Sequence, residues 1–227
     1  MRRICVLIFL MFIFSSTCHA HIQDGLVAWW KMDEGSGTTT ADSSGQGKTG
    51  SFSGSPAWIS GYRNKALKFS GGSSLTFSNI TTTSTFTFSA WINPTGVNAT
   101  YNSIIVQDNT NGLWFVPGSG FTWEIGGTDH FSSASVSNNI WSHVALVVNG
   151  GSATWYINSA AQGTAAGCTG FTFVEIGDDG VGSDVLEGSL DDVRIYNRAL
   201  SAQEITYLYS NAVQIKNAVI KNAKINN

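Results

Sequence analysis

Cysteine is scarce, and its placement excludes a disulfide framework. The 227 residues contain three cysteines, of which Cys5 and Cys18 lie in the first twenty positions and Cys168 stands alone. If the first twenty residues are removed as a leader peptide, only Cys168 is left and the chain cannot form an internal disulfide. The small and apolar neighbours of Cys168 predict a buried, inert thiol, with an intermolecular bridge as the alternative.

The sequence also lacks an apolar run long enough for a transmembrane helix, which needs roughly 20 consecutive apolar residues. The run from Ile4 to Phe14 is shorter, follows Arg2 and Arg3, and precedes a short polar stretch. This layout is typical of a secretory signal peptide. Residues 1–20 are therefore predicted to be a cleaved leader, and the protein to be secreted or held at the cell surface without membrane insertion. A lipid-anchoring cleavage at Cys18 is the alternative.

The chain has no surplus of positive charge. Without the leader it carries ten basic and fifteen acidic residues, a net charge of −5. Lys216, Lys221 and Lys224 lie in the last sixteen positions, so the globular part has a net charge near −8. This balance excludes nucleic acid and anionic membranes as partners, and it favours the binding of a cation.

Helical periodicity is nearly absent, and proline is rare, whereas short β-branched and aromatic runs recur between clusters rich in glycine and asparagine. This pattern is typical of a β-sandwich or barrel. Phe86, Phe88, Ala90 and Ile92 alternate with other residues and so share one face of a strand. Further strands are predicted over residues 26–33, 66–70, 103–107, 112–116, 121–125, 140–148, 153–157, 171–176 and 190–196. Several of them are apolar on both faces, which predicts two stacked antiparallel sheets.

Two C-terminal segments differ from this β pattern. Ser201 and Glu204 form a capping box, which predicts one short helix with Ile205 and Leu208 on its apolar side. Residues 212–227 then repeat every five positions, with an isoleucine in each repeat. Such a tail resembles pentapeptide repeats and is too short to bury its isoleucines alone, so self-association through it is one interpretation. A frayed polar tail is the other.

Several motifs together resemble the laminin-G-like jelly rolls of the concanavalin A-like lectin and glucanase superfamily. The resemblance covers residues 25–210 in consistent order, and it implies an all-β, two-sheet antiparallel sandwich over residues 21–211. The segments that carry it are Gly25-Leu-Val-Ala-Trp-Trp-Lys-Met-Asp-Glu-Gly35, Ala66-Leu-Lys-Phe-Ser-Gly71, Phe86-Thr-Phe-Ser-Ala-Trp-Ile-Asn-Pro94, Trp141-Ser-His-Val-Ala-Leu-Val-Val-Asn-Gly150 and Gly188-Ser-Leu-Asp-Asp-Val-Arg-Ile-Tyr-Asn-Arg-Ala-Leu-Ser201.

The resemblance also implies that the first and last strands are antiparallel neighbours. Asp33 then lies beside Asp191 and Asp192, and the loop that bears Asp42 leaves from the same end. Carboxylates gathered in this way repel one another unless a cation lies among them, which predicts a structural calcium ion. In the alternative, Asp42 caps its own turn and Asp192 pairs with a surface arginine.

No catalytic arrangement is visible in the sequence. Glucanases of this broad fold carry paired carboxylates at alternate positions of one strand, whereas Glu124 and Glu175 each stand alone. No Gly-x-Ser-x-Gly elbow is present either. The chain is therefore predicted to be a binding module and not an enzyme.

Carbohydrate is the ligand that the resemblance favours, because sugar rings stack on exposed aromatic faces. Most of the eight tryptophans, Trp29 among them, are expected in the core. A structural or adhesion module with no small ligand is the alternative function. The residues predicted to contact a glycan are Tyr101, Trp114, Trp123 and Trp155, with Asp129 and His130 supplying hydrogen bonds.

Overall fold

The computed structural model describes residues 22–95 and 101–210. The predicted leader and the repeat tail lie outside these ranges. Within them, no helix combines the length and the apolar character that a membrane span requires.

The described residues form the predicted sandwich of two antiparallel sheets. Sheet A contains, from edge to edge, β14 (Ala160–Ala166), β13 (Ser152–Ile157), β12 (Ser142–Asn149), β7 (Phe86–Pro94), β16 (Gly188–Tyr196), β5 (Lys65–Phe69) and β4 (Ala57–Ser60), and β1 (Leu26–Trp30) also pairs with β16. Sheet B contains β11 (Thr128–Phe131), β10 (Gly120–Ile125), β9 (Asn111–Val116), β8 (Asn102–Asp108), β15 (Thr172–Ile176), β6 (Ser74–Thr81), β3 (Gly50–Ser53) and β2 (Thr39–Thr40).

The main hydrophobic core lies between the two sheets. Phe86, Phe88 and Ile92 face it from β7, as their alternation predicts, and Trp123 and Phe173 face it from sheet B. All of these side chains are buried. Because burying apolar area is the largest favourable term in folding, this layer holds the sandwich together.

A single short helix, α1 (residues 202–210), packs on the outer face of sheet A. Its capping box is formed as predicted, with the Ser201 amide donating to Glu204 Oε2 at 2.8 Å and the Glu204 amide donating to Ser201 Oγ at 3.3 Å. Ile205 and Leu208 are buried against Ala145 of β12. The middle of sheet A is therefore covered on both faces, which explains why β12 is apolar on both.

The last strand, β16, changes neighbours halfway along its length. Its first residues pair with β5 and its last residues pair with β1, while β7 lies on its other side. The ladder to β7 shifts register between Asp191 and Arg194, and Asp192 has a left-handed backbone with φ of 56°. A gap therefore opens on sheet A where β1 ends and β5 begins.

Candidate functional site

The gap in sheet A forms a polar pocket with a volume of about 210 Å³. Its base comes from β16, one wall from β1 and the residues after it, and the other wall from the turn between β4 and β5. We call this site the strand-junction pocket, and its lining residues are Trp29, Lys31, Asp33, Arg63, Asn64, Asp191 and Asp192. Lys31 and Asn64 are exposed at the rim, whereas Asp191 and Asp192 are buried.

Asp191 is the most unusual side chain in the pocket, because it is fully buried and only half satisfied. Its Oδ2 accepts a hydrogen bond from the Arg63 amide at 2.8 Å, but its Oδ1 has no hydrogen-bond partner among the described residues. Burial raises the pKa of Asp191 to about 8, with the charges of Asp192 and Asp33 adding to the shift and the Arg63 amide opposing it. Burial therefore favours the protonated form of this carboxyl.

Asp192 is held by three donors. Its Oδ1 accepts from the Trp29 indole at 2.6 Å and pairs with Arg194 at 2.9 Å, and its Oδ2 lies 3.5 Å from Arg63 Nη1. The Arg194 guanidinium also lies over the Trp29 ring at 4.5 Å. These contacts fix the Trp29 wall of the pocket against β16.

The turn before β5 is built to approach the carboxylates closely. A Cβ on Gly61 would lie 2.7 Å from Asp191 Oδ2, so only glycine fits there. From the same turn, Asn64 Nδ2 donates to Asp33 Oδ2 at 3.1 Å and the Lys65 amide donates to Asp33 Oδ1 at 3.2 Å. Asp33 and Asp191 are thereby attached to the same turn.

Three of the four aspartates predicted to bind a metal share this pocket, but Asp42 does not line it. Both Asp42 oxygens accept hydrogen bonds within the first loop, from the amides of Trp29, Ser44 and Lys48 at 2.8–3.0 Å and from the Ser44 hydroxyl at 2.8 Å. Burial alone would raise the pKa of Asp42, yet these hydrogen bonds outweigh it and hold the pKa below its ordinary value. Asp42 therefore caps its own loop, as the alternative interpretation of the sequence expects, and its role in metal binding stays a prediction.

The described residues do not fit the predicted calcium ion. Among them, no group of three or more His, Cys, Asp or Glu side chains is arranged to hold a metal. In the pocket, arginine guanidinium groups face Asp192, and backbone and amide donors occupy Asp33. Calcium binding stays a prediction, which thermal melting with and without a chelator tests.

Replacing Asp42 by alanine is expected to lower the free energy of unfolding by about 2–3 kcal/mol, because hydrogen bonds to a charged group contribute roughly 1.5–3 kcal/mol each and water replaces part of what is lost. Urea denaturation at pH 7 measures the change. Gln46→Ala, at an exposed side chain in the same loop, serves as the control with a change below about 0.5 kcal/mol. Equal values for the two variants would contradict a structural role for Asp42.

The predicted exposure of three tryptophans is wrong. Trp114, Trp123 and Trp155 are fully buried, so a sugar ring cannot stack on any of them. Trp123 is stacked against Phe171 with a ring-centroid distance of 4.4 Å, and Trp155 lies in the same core. Strands buried on both faces explain the error, because side-chain alternation alone cannot then tell an outward residue from an inward one.

Tyr101 and Asp129 do come together, at the edge of sheet B and apart from the strand-junction pocket. The Tyr101 hydroxyl donates to Asp129 Oδ2 at 2.6 Å, and this hydrogen bond raises the pKa of Tyr101 to about 12. Glu124 lies opposite Asp129 in the sheet, and burial together with the charge of Asp129 raises its pKa to about 7. His130 is the neighbour of Asp129 and is half-buried. The ligand role of Tyr101, Asp129 and His130 stays a prediction.

Ser89 and His143 form a buried Ser–His pair, the residue types found in many hydrolase active sites, but a substrate cannot reach it. The Ser89 hydroxyl lies 2.9 Å from His143 Nε2, and both residues are buried beneath α1 with Trp91 and Tyr209 against the imidazole. Burial lowers the pKa of His143 to about 3, with the nearby Arg194 charge adding to the shift. Because a substrate cannot reach Ser89, this pair is part of the packing of sheet A.

Four lining residues of the pocket were not predicted from the sequence. Trp29 was expected in the core, and nothing in the sequence linked Lys31, Arg63 and Asn64 to the last strand. The glycine at position 61 before Arg63 is the one local signal that a tight approach was needed.

The chain matches known proteins in sequence profile and in fold. Residues 68–206 match the Laminin_G_3 family of the concanavalin A-like lectin/glucanases superfamily. A comparison with curated protein sequences found no match. Domain 4 of AbnA, a GH43 extracellular arabinanase from Geobacillus stearothermophilus solved in complex with arabinotriose, has a TM-score of 0.67 and 20% identity over 81% of this chain and 98% of its own.

Two toxin domains share the same fold. The binding domain of Paraclostridial Mosquitocidal Protein 1 has a TM-score of 0.67 and 19% identity over 83% of this chain and 52% of its own. The binding domain of botulinum neurotoxin serotype D has a TM-score of 0.64 and 17% identity over 84% of this chain and 53% of its own. The chain thus spans about half the length of these two domains. Since the family profile matches more than half of the sequence, the chain belongs to the Laminin_G_3 family of concanavalin A-like lectin and glucanase domains.

Proposed function

We propose that this protein is a secreted, non-catalytic carbohydrate-binding module and that its ligand enters the strand-junction pocket. The observation that carries the proposal is the Asp191 carboxyl, which belongs to the lining of the pocket and is buried with its Oδ1 lacking a hydrogen-bond partner among the described residues. A buried polar atom without a partner costs stability, so such an atom at the base of a pocket points to a ligand group.

A sugar suits this pocket because each hydroxyl group both donates and accepts hydrogen bonds. The pocket lining includes the carboxyl groups of Asp33 and Asp191 and the cationic side chains of Lys31 and Arg63. The Trp29 ring supplies an apolar edge beside them. The fold supports the same conclusion, since a domain of this architecture has been solved in complex with arabinotriose.

A glycan array followed by calorimetric titration tests the proposal on the purified protein. We expect at least one glycan to bind with a dissociation constant of about 1 mM or tighter, which corresponds to a binding free energy of about −4 kcal/mol or better. If no glycan binds at millimolar concentration, the proposal is wrong and a structural or adhesion role takes its place.

A further inference from the structure

We infer that the repeat tail of one molecule, residues 212–227, docks on the outer face of sheet B of a second copy. The docking surface, which we call the acidic edge, consists of Glu124, Asp129, Phe131, Val181 and Asp184. The contact is heterologous, because the tail of one copy meets a different surface on the next. This inference does not depend on carbohydrate binding, and it concerns the sheet opposite to the strand-junction pocket.

The two segments carry opposite charge. Between Lys68 and Arg194 the sequence contains no lysine or arginine, whereas the repeat tail contains three lysines and no aspartate or glutamate. Burial together with the charges of Asp129 and Asp184 raises the pKa of Glu124 to about 7, so these carboxylates lie near one another. Among the described residues, the carboxylates of Glu124 and Asp184 have neither a hydrogen-bond donor nor a cation. Lysines of a partner relieve this repulsion.

The acidic edge also exposes apolar side chains. Phe131 lies opposite Thr122, on the outer side of sheet B, because Phe121 and Trp123 face the core. Phe131 is 43% exposed, and Val181 in the loop after β15 is 69% exposed. Large exposed apolar side chains among carboxylates fit a partner that combines apolar and cationic residues. The tail places an isoleucine beside a lysine in each repeat, at Ile215-Lys216, Ile220-Lys221 and Lys224-Ile225.

Trp114 is a further sign that the outer face of sheet B lacks a partner. Its neighbours in β9, Leu113 and Phe115, face the core, so Trp114 faces outward. It is fully buried, in edge-on contact with Tyr101, whose hydroxyl binds Asp129. Its indole Nε1 has no hydrogen-bond partner among the described residues. Buried donors without an acceptor are rare, and the asparagines and backbone carbonyls of the tail are acceptors.

The tail is too short to place all its repeats on the acidic edge of its own molecule. It follows α1, which packs over β12 on the outer face of sheet A. The way round the sandwich passes β14, where the Ser133 amide after β11 donates to the Gln162 carbonyl at 2.7 Å. With strands about 4.8 Å apart and layers about 10 Å apart, this path is about 35 Å long and takes about eleven extended residues. Only the last repeat then reaches the acidic edge, whereas all three reach it on a second copy.

Sedimentation velocity of the purified protein over a range of concentrations tests the inference. We expect oligomers that grow with concentration, and association at least tenfold weaker when salt is raised from about 0.05 M to about 0.5 M, because salt screens surface charges. Truncation after Ser210 is expected to give a monomer, and so is the tail variant, which combines Lys216→Gln, Lys221→Gln and Lys224→Gln. Lys65→Gln with Lys68→Gln, at exposed lysines of sheet A, is the control and should leave association unchanged.

A mixing experiment identifies the surface. The acidic-edge variant combines Glu124→Gln, Asp129→Asn and Asp184→Asn and keeps its tail, whereas the tail variant keeps its acidic edge. Each variant alone is expected to be a monomer, and circular dichroism checks that each is folded. Because the contact is heterologous, the mixture is expected to form one-to-one pairs.

Three results would overturn the inference. The first is a natural protein that stays monomeric at every concentration, which includes a tail that docks on its own domain. The second is association that survives the loss of the tail lysines. The third is an acidic-edge variant that associates as the natural protein does, which would place the docking surface elsewhere. A silent glycan array changes none of these outcomes, so the two proposals stand or fail separately.

Discussion

Replacement of Trp123 by alanine is expected to lower the free energy of unfolding by about 3–5 kcal/mol, since truncating a buried aromatic residue leaves a cavity as well as losing its transfer free energy. The Trp123 ring is fully buried, with its centroid 4.4 Å from that of Phe171 and 5.2 Å from that of Phe86. A loss of this size is a large fraction of the 5–15 kcal/mol that stabilises a typical domain. Guanidinium denaturation followed by circular dichroism measures it.

Phe131→Ala is the matched control, because this aromatic side chain lies on the edge strand β11 of the same sheet and is 43% exposed. We expect it to cost less than about 1 kcal/mol. If the Trp123 variant were as stable as the Phe131 variant and had lost glycan binding, Trp123 would be a ligand contact and its assignment to the core would be wrong.

Asp191→Asn is expected to make the protein more stable at pH 8, not less. The folded-state pKa of about 8 lies above the unfolded value of about 4, so between these pH values the unfolded chain has lost a proton that the folded protein keeps. The free energy of unfolding therefore falls as pH rises through this window. The full interval corresponds to about 1.4 kcal/mol per pH unit. Relaxation of the pocket reduces this, and we expect a gain of about 2 kcal/mol for asparagine.

Urea denaturation of both proteins at pH 4.5 and pH 8 measures this effect. Other groups with raised pKa values, such as Glu124, also titrate in this window, so the relevant quantity is the difference between the two proteins. That difference should be small at pH 4.5 and should grow in favour of the variant at pH 8. A difference that does not depend on pH would contradict a buried, protonated Asp191.

A buried carboxyl group that lowers stability, such as that of Asp191, is more typical of a functional site than of a structural position. Asparagine would occupy the position of Asp191 without the cost of a buried charge, and natural proteins keep such costs mainly at functional sites. The left-handed backbone of Asp192 and the glycine at position 61 add to the same conclusion, because both hold the chain close to this carboxyl. The pocket therefore differs from the rest of sheet A in being organised at the expense of stability.

The sequence predicted the sandwich because hydrophobic alternation and the capping box are local features. It also placed Asp33 beside Asp191 and Asp192, since the pairing of the first and last strands followed from the resemblance and is present as β1 with β16. The strand β14 was not predicted, because its alanines and glycine have low strand propensity and its position is set by pairing with β13.

The rest of the pocket depends on contacts between distant segments. Arg63 is 128 residues from Asp191, and their hydrogen bond uses a backbone amide that has no sequence signature. The choice between the two interpretations of Asp42 was left open for a similar reason, because its partners are backbone amides of its own loop and of Trp29. Charge alone could not distinguish a carboxylate that caps a loop from one that faces a pocket.

The most direct test of the account is a pH titration of the Asp191 side-chain carboxyl carbon by NMR, with Asp191→Asn used to assign the resonance. We expect a midpoint near pH 8 in the free protein and a change of that midpoint when the tightest-binding glycan is added. A midpoint near pH 4 that the glycan leaves unchanged would show that this carboxyl is hydrated and does not form the buried floor of a ligand pocket.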